Sequence, residues 1–286
     1  MMTSTFADLL ASIPSPSDGV VQLGPLPLHM YGLMIALGVV VASRVGRVRY
    51  VARGGNGEAF DSAAFWAVIG GIIGARLYHV ITDYQLFEDH PERIIQIWRG
   101  GLGIWGGVIG GALAVLVVAR RRHLQFGLIA DSIVPGLAFA QGIGRWGNWF
   151  NQELFGRPST LPWAVEIDLA HRPLEYADFS TFQPTFLYES LLCVALGFAL
   201  LAVDRRFKLA RGQLFALYAA GYTAFRFFLE QLRVDPANMI GPLRVNAWVS
   251  IVVFVMAVAV FIWLGRRAPN TSVDEVPTEV GEPAAS

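Results

Sequence analysis

Long apolar runs, separated by short basic clusters, dominate this chain. A helix crosses a bilayer with about 20 mostly apolar residues. Gly19 to Ser43, Gly100 to Ala119 and Val245 to Gly265 carry no charge at all. Four further runs qualify with one charge each. Ser62 to Thr82 holds Arg76, and His123 to Gly144 holds Asp131. Phe179 to Val203 holds Glu189, and Gly212 to Leu229 holds Arg226. The pattern predicts seven membrane helices near 29–48, 61–82, 101–120, 127–145, 184–203, 211–229 and 245–265. The fold class is therefore an all-α polytopic membrane protein.

The basic clusters orient these spans. Arg44, Arg47, Arg49 and Arg53 follow the first helix, and Arg120, Arg121 and Arg122 the third. Arg205, Arg206, Lys208 and Arg211 follow the fifth, and Arg266 and Arg267 the seventh. With seven spans all of them share one side. Asp83, Glu88, Asp89, Glu92, Glu153, Glu166, Asp168, Glu175 and Asp178 gather on the other. The expected topology has the N-terminus outside and the C-terminus in the cytoplasm. Met1 to Val20 lacks Lys and Arg, so a cleavable signal peptide is not expected there. The membrane domain is expected over 1–267, with an outer loop at about 146–183. Leu161 to Leu169 reads as a short strand within that loop. The polar, acidic stretch 268–286 reads as a disordered cytoplasmic tail.

Composition agrees with the pattern. Hydrophobic residues make up 54% of the 286 and charged residues only 15%, against about 25% in a soluble domain. The formal net charge of zero excludes a generally basic nucleic-acid binder. One cysteine excludes a disulfide framework, and the 5 histidines form no metal-binding pair. No metal enzyme is expected, and because no Gly-Lys-Ser or Gly-Lys-Thr follows a glycine cluster, ATP is not an expected cofactor either. Gly101-x-Gly103-x-x-Gly106 matches a dinucleotide fingerprint in letters, but it lies in an apolar span without a preceding strand. Gly70, Gly71 and Gly74 on the second helix, and Gly106, Gly107, Gly110 and Gly111 on the third, have the spacing of closely packed membrane helices.

Charges within spans are expensive and usually functional. Arg76, Arg226 and Glu189 all fall toward the outer ends of their helices, and Arg145 closes the fourth. Asp131 lies near the inner end and reads as a cap or packing residue, as Cys193, His29 and His79 read as packing. Tyr222, Arg226 and Glu230 share one helical face through their spacing of four. Gly144 to Gly156 places Arg145, Asn148, Asn151 and Glu153 at a membrane boundary. Guanidinium groups bind phosphate through paired hydrogen bonds, and lipid phosphates lie at this depth. These features fit a lipid-modifying enzyme and a lipid transporter equally.

Several segments, in order along nearly the whole chain, carry a resemblance that separates the two. Gly144-Arg-Trp-Gly-Asn-Trp-Phe-Asn-Gln-Glu-Leu-Phe-Gly156 resembles the signature of bacterial phosphatidylglycerol–prolipoprotein diacylglyceryl transferases, with Trp149 where Phe is usual. Leu28 to Leu33, Gly74 to Tyr78, Gly100 to Gly107, Gln183 to Glu189 and Tyr222 to Glu230 resemble further segments of that family. The resemblance implies transfer of the diacylglyceryl group of phosphatidylglycerol to a cysteine thiol of a prolipoprotein, with a thioether formed and glycerol phosphate released. It implies an inner-membrane enzyme with its site toward the outside. Phosphatidylglycerol, prolipoprotein signal peptides and the bilayer are the implied partners. It implies that Arg145 and Arg226 stabilise charge on the leaving phosphate, and that Asn148, Asn151 and Glu153, with Gly156 of the same segment, hold the glycerol headgroup. Glu230 is expected to hold Arg226 or help accept the thiol proton, and Tyr31 and Tyr222 to line the pocket. Arg76 and Glu189 are expected to form a second charge pair. Some members of the family have histidine where this chain has Trp105 and Gln183, so the base is expected to be Glu230, Glu153 or the lipid phosphate.

Overall fold

A computed structural model describes residues 12–24, 26–97 and 100–267. The expected tail, 268–286, and most of the segment read for a signal peptide lie outside the described residues. Among the described residues seven long helices form: α1 (Met30–Ala52), α2 (Gly57–Thr82), α3 (Ile104–Arg121), α4 (Phe126–Phe150), α5 (Thr185–Arg206), α6 (Gln213–Glu230) and α7 (Val245–Arg267). All but α6 are long and apolar enough to cross a membrane. Arg226, Glu230 and Gln213 dilute the apolar content of α6. Large side chains such as Ile73, Ile81, Ile104 and Phe228 are exposed. A belt of exposed apolar side chains is the surface a bilayer would cover. The chain is a multi-pass membrane protein.

Helix packing decides which polar groups can meet. α1 packs on α4, α2 on α3, α4 on α5, and α6 on α7, with α5 and α4 also touching α6. The α2–α3 contact rests on the glycines. A Cβ on Gly74 would lie 2.3 Å from the carbonyl oxygen of Gly106, and one on Gly106 only 2.2 Å from that of Gly74. No side chain fits there, so the two backbones touch. Gly106→Val is expected to force α2 and α3 apart and to cost about 1–3 kcal/mol, the usual range for overpacking. Thermal unfolding in detergent measures this, and an unchanged midpoint would contradict the tight contact.

The basic ends of α1, α4, α5 and α6 are bolted together. Pro135, inside α4, has no N–H, so the carbonyl four residues earlier lacks its helical partner. Arg49 fills that gap, donating to the carbonyls of Asp131 at 3.1 Å and Ser132 at 3.0 Å. Asp204 of α5 then pairs with Arg49 at 3.1 Å and Arg53 at 2.5 Å. Asp131 caps α6, accepting from the backbone N–H groups of Gly212 (2.6 Å) and Phe215 (2.9 Å). Gly212 takes φ +90° at this turn, a conformation that suits glycine.

At the opposite end, the stretch between α4 and α5 folds into a small unit. α4 runs on to Phe150, so this unit starts later than the 146 expected. Of the strand expected over 161–169 only β3 (Val165–Glu166) forms, antiparallel to β4 (Thr181–Phe182). The proline and the turn after Leu161 keep the rest out of the ladder. Phe155, Val165, Ile167, Phe182 and Phe186 make its core. Ile13 bridges to β3 from the N-terminal side. A short hairpin, β5 (Met239–Ile240) and β6 (Leu243–Arg244), joins α6 to α7. The first two strands, β1 (Val20–Leu23) and β2 (Leu26–His29), pair antiparallel ahead of α1.

Candidate functional site

Three helices deliver the in-span charges to one place. α4 carries Arg145 near its end, α5 carries Glu189 near its start, and α6 carries Arg226 and Glu230 near its end. The antiparallel packing of α4 on α5, with α6 alongside, brings these to one level. Arg145 lies 2.8 Å from Glu189, and Arg226 lies 3.3 Å from the other oxygen of the same carboxylate. The Tyr222 hydroxyl donates to Glu189 at 3.1 Å and accepts from Arg145 at 3.4 Å. Arg226 also lies 2.7 Å from Glu230, one turn on.

Glu230 is fully buried. Burying a carboxylate costs several kcal/mol unless cations and hydrogen bonds offset it. Here Arg226, Arg233 at 3.5 Å and Arg244 at 3.2 Å surround it, and the Asn246 amide donates at 3.3 Å. Asp235 holds Arg233 in a two-pronged bond of 2.7 and 2.9 Å. Arg244 donates to the Asp235 carbonyl. Across this contiguous set, Arg145, Arg226, Arg233 and Arg244 face Glu189, Glu230 and Asp235. Four guanidinium groups against three carboxylates leave one positive charge in excess. An excess cation among desolvated arginines favours a bound monoanion.

On the other flank, Arg145 donates to Asn148 at 3.4 Å, and the Asn148 amide donates to Glu153 at 2.7 Å. Asn151 donates to the same carboxylate oxygen at 3.5 Å. Glu153 sits between Gln152 (φ +50°) and Leu154 (φ +58°), both left-handed. For residues other than glycine this costs about 1–2 kcal/mol each. The surroundings enforce it. Gln152 is buried and donates to Asp168 at 2.6 Å while accepting from the Asp168 N–H at 2.6 Å. The Thr185 hydroxyl donates to the Leu154 carbonyl. Strain held this firmly is a mark of functional positions.

Arg145, Asn148, Leu154, Thr185, Phe186, Glu189 and Arg233 enclose a cavity of about 10 Å³. That is room for roughly one water. A group the size of phosphate does not fit while Arg145 and Glu189 stay paired.

The remaining expected positions divide. The Tyr31 ring packs on Gly147, where a Cβ would come within 2.6 Å of it, so Tyr31 borders the site from α1. Gly156 is a junction, its N–H donating to the Gln183 carbonyl at 2.9 Å. A Cβ there would meet Gln183 at 2.9 Å. The expected Arg76–Glu189 pair does not form. α2 packs on α3 and not on α5, so the two charges belong to different groups. Arg76 instead donates to the carbonyls of Ile94 (2.8 Å), Gly100 (2.8 Å), Gly101 (2.9 Å) and Arg93. Its guanidinium also lies 5.3 Å from the centre of the Phe87 ring. With its donors committed to backbone, it ties down the segment after α2.

Arg233, Arg244, Asp235 and Gln152 were not legible as site residues in the sequence. Arg233 had a signal, since it extends the Tyr222–Arg226–Glu230 face by three residues. Arg244 had none, because the β5–β6 hairpin alone carries it back to Glu230.

Known proteins resemble this chain over most of its length. Residues 18–263 match the family model described as prolipoprotein diacylglyceryl transferase. The chain is 53% identical over 260 residues to the phosphatidylglycerol–prolipoprotein diacylglyceryl transferase of Cutibacterium acnes, covering 90% of this chain and 88% of that protein. It is 48% identical over 278 residues to the protein of that name in Streptomyces griseus, covering 96% and 84%. A similar relative in Corynebacterium glutamicum is 48% identical over 278 residues, covering 91% and 87%.

Proposed function

This chain belongs to the prolipoprotein diacylglyceryl transferase family, and from that premise we propose the following reaction at the arginine cluster. The sulfur of a prolipoprotein cysteine attacks the glyceryl carbon of phosphatidylglycerol that bears the phosphate. A carbon–sulfur bond forms, the carbon–oxygen bond breaks, and glycerol phosphate leaves with the electron pair. The attacking species is the thiolate. The leaving diester becomes a monoester, so negative charge grows on its oxygens during the step.

The observation that carries this reading is the convergence of Arg145 and Arg226 on Glu189. Arginines held in a dry, preorganised site stabilise charge that develops in a transition state. We assign Arg145 and Arg226 to the phosphate, and Asn148, Asn151 and Glu153 to the far side of the glyceryl group. Tyr222 and Glu189 keep the arginines apart until the phosphate displaces the carboxylate. Tyr31 and Gly156 shape the walls. Arg76 holds the segment after α2 rather than the lipid.

The site lies at the helix ends opposite the basic clusters. By the charge rule that side is external, which puts the N-terminus outside, the C-terminus in the cytoplasm and the site on the outer face of the bacterial inner membrane. Incubation of the purified chain with phosphatidylglycerol and a lipobox peptide tests the reaction by mass spectrometry. The expected result is a gain of one diacylglyceryl group on the peptide cysteine, matched by released glycerol phosphate. No gain, under conditions where a relative works, overturns it.

A further inference from the structure

The thiol must lose its proton, and the groups able to take it are few. α4, α5 and α6 carry no histidine and no lysine. The lipid phosphate is a diester, already ionised and a weak base. Among the groups already placed at the site, that leaves the carboxylates. Both oxygens of Glu189 are committed, one to Arg145 and Tyr222 and the other to Arg226. Glu230 is fully buried within three arginines and an amide, with no side open to a substrate.

Glu153 differs on every count. It is exposed. Among the described residues no Lys or Arg lies within ion-pair distance of it. Both of its side-chain partners, Asn148 and Asn151, donate to the same oxygen, Oε1, which leaves Oε2 for another group. Asn148 alone stands between it and Arg145, accepting from the arginine and donating to the carboxylate. Its turn is held in a left-handed conformation on both sides, by Gln152 on Asp168 and by Thr185 on Leu154.

We propose that Glu153 is the catalytic proton acceptor for the substrate cysteine. This rests on the reaction proposed above. Oε2 takes the thiol proton, the thiolate attacks the glyceryl carbon, and the electron pair of the broken carbon–oxygen bond leaves with glycerol phosphate. The carboxylic acid so formed returns its proton to water or to the departing phosphate monoester. Asn148 then links the two halves of the step, with one end on the base and the other on Arg145.

Glu153→Gln tests the role, because it keeps the shape and an acceptor for both amides. Rates are measured with phosphatidylglycerol and two lipobox peptides, one with cysteine and one with selenocysteine. A selenol is ionised at neutral pH and needs no base. The expected result is a fall in kcat of about 10²- to 10⁴-fold with the cysteine peptide and recovery of most of that loss with the selenocysteine peptide, any change in KM for phosphatidylglycerol being the same with both. An undiminished rate with cysteine overturns the proposal. So does an equal loss with both peptides, which would make Glu153 a structural residue. A wild-type chain inactive toward both overturns the reaction itself, and this role with it.

Discussion

Replacement of Arg226 by alanine is expected to lower diacylglyceryl transfer by about 10²- to 10³-fold, the usual effect of removing one group that stabilises transition-state charge. The chain is expected to fold and insert all the same. Glu189 keeps Arg145 and Tyr222 as partners, and Glu230 keeps Arg233 and Arg244. No carboxylate is left buried and alone. Arg145→Ala is expected to behave alike, because Glu189 then keeps Arg226. Lysine is a poor substitute for either, since a single ammonium lacks the planar fork that grips two phosphate oxygens. Initial rates with the cysteine peptide, beside an unfolding curve in detergent, separate chemistry from stability. Both alanine variants within a few-fold of the wild-type rate would remove the arginines from the mechanism.

Glu230→Ala is expected to fail differently. It takes one negative charge from a cluster that already has a positive excess. Arg226, Arg233 and Arg244 would lose their shared partner in a site closed to water. Breaking a buried ion pair from one side costs about 3–5 kcal/mol, a large part of the 5–15 kcal/mol that holds an ordinary domain together. The thermal midpoint is therefore expected to drop by far more than in Arg226→Ala, with little protein recovered from membranes. An unfolding curve that overlays the wild type would show that Glu230 is not the hub. Those two results together would divide the cluster, with Arg226 serving the reaction and Glu230 chiefly holding the arginines in place.

The long helices were legible because length and apolarity are local properties. α7, from Val245, matched its expected start, and α5 and α6 began within a residue or two of theirs. Other ends differed by three to five residues: α1 runs on to Ala52 and α2 starts already at Gly57, α3 starts only at Ile104, and α4 continues past Arg145 to Phe150, where Trp146 and Trp149 pack on Phe186. The glycine contact between α2 and α3 was also readable, since spacing alone puts small residues on one face.

Partners were harder. The sequence located Arg76, Arg145, Glu189 and Arg226 at one end of the bundle, because charge placement along an apolar helix shows depth. It did not show that Arg76 belongs to a separate group, because depth says nothing of which helices pack together. By itself the sequence determined the long helices, the polar end and the family likeness, all of which follow from the order of residues along the chain. Only the tertiary structure decided that Glu189 lies between two arginines, that Arg233 and Arg244 close around Glu230, and that Glu153 stands apart from all of them. Ion pairing falls off over a few ångströms, and distances that short between helices are set by packing.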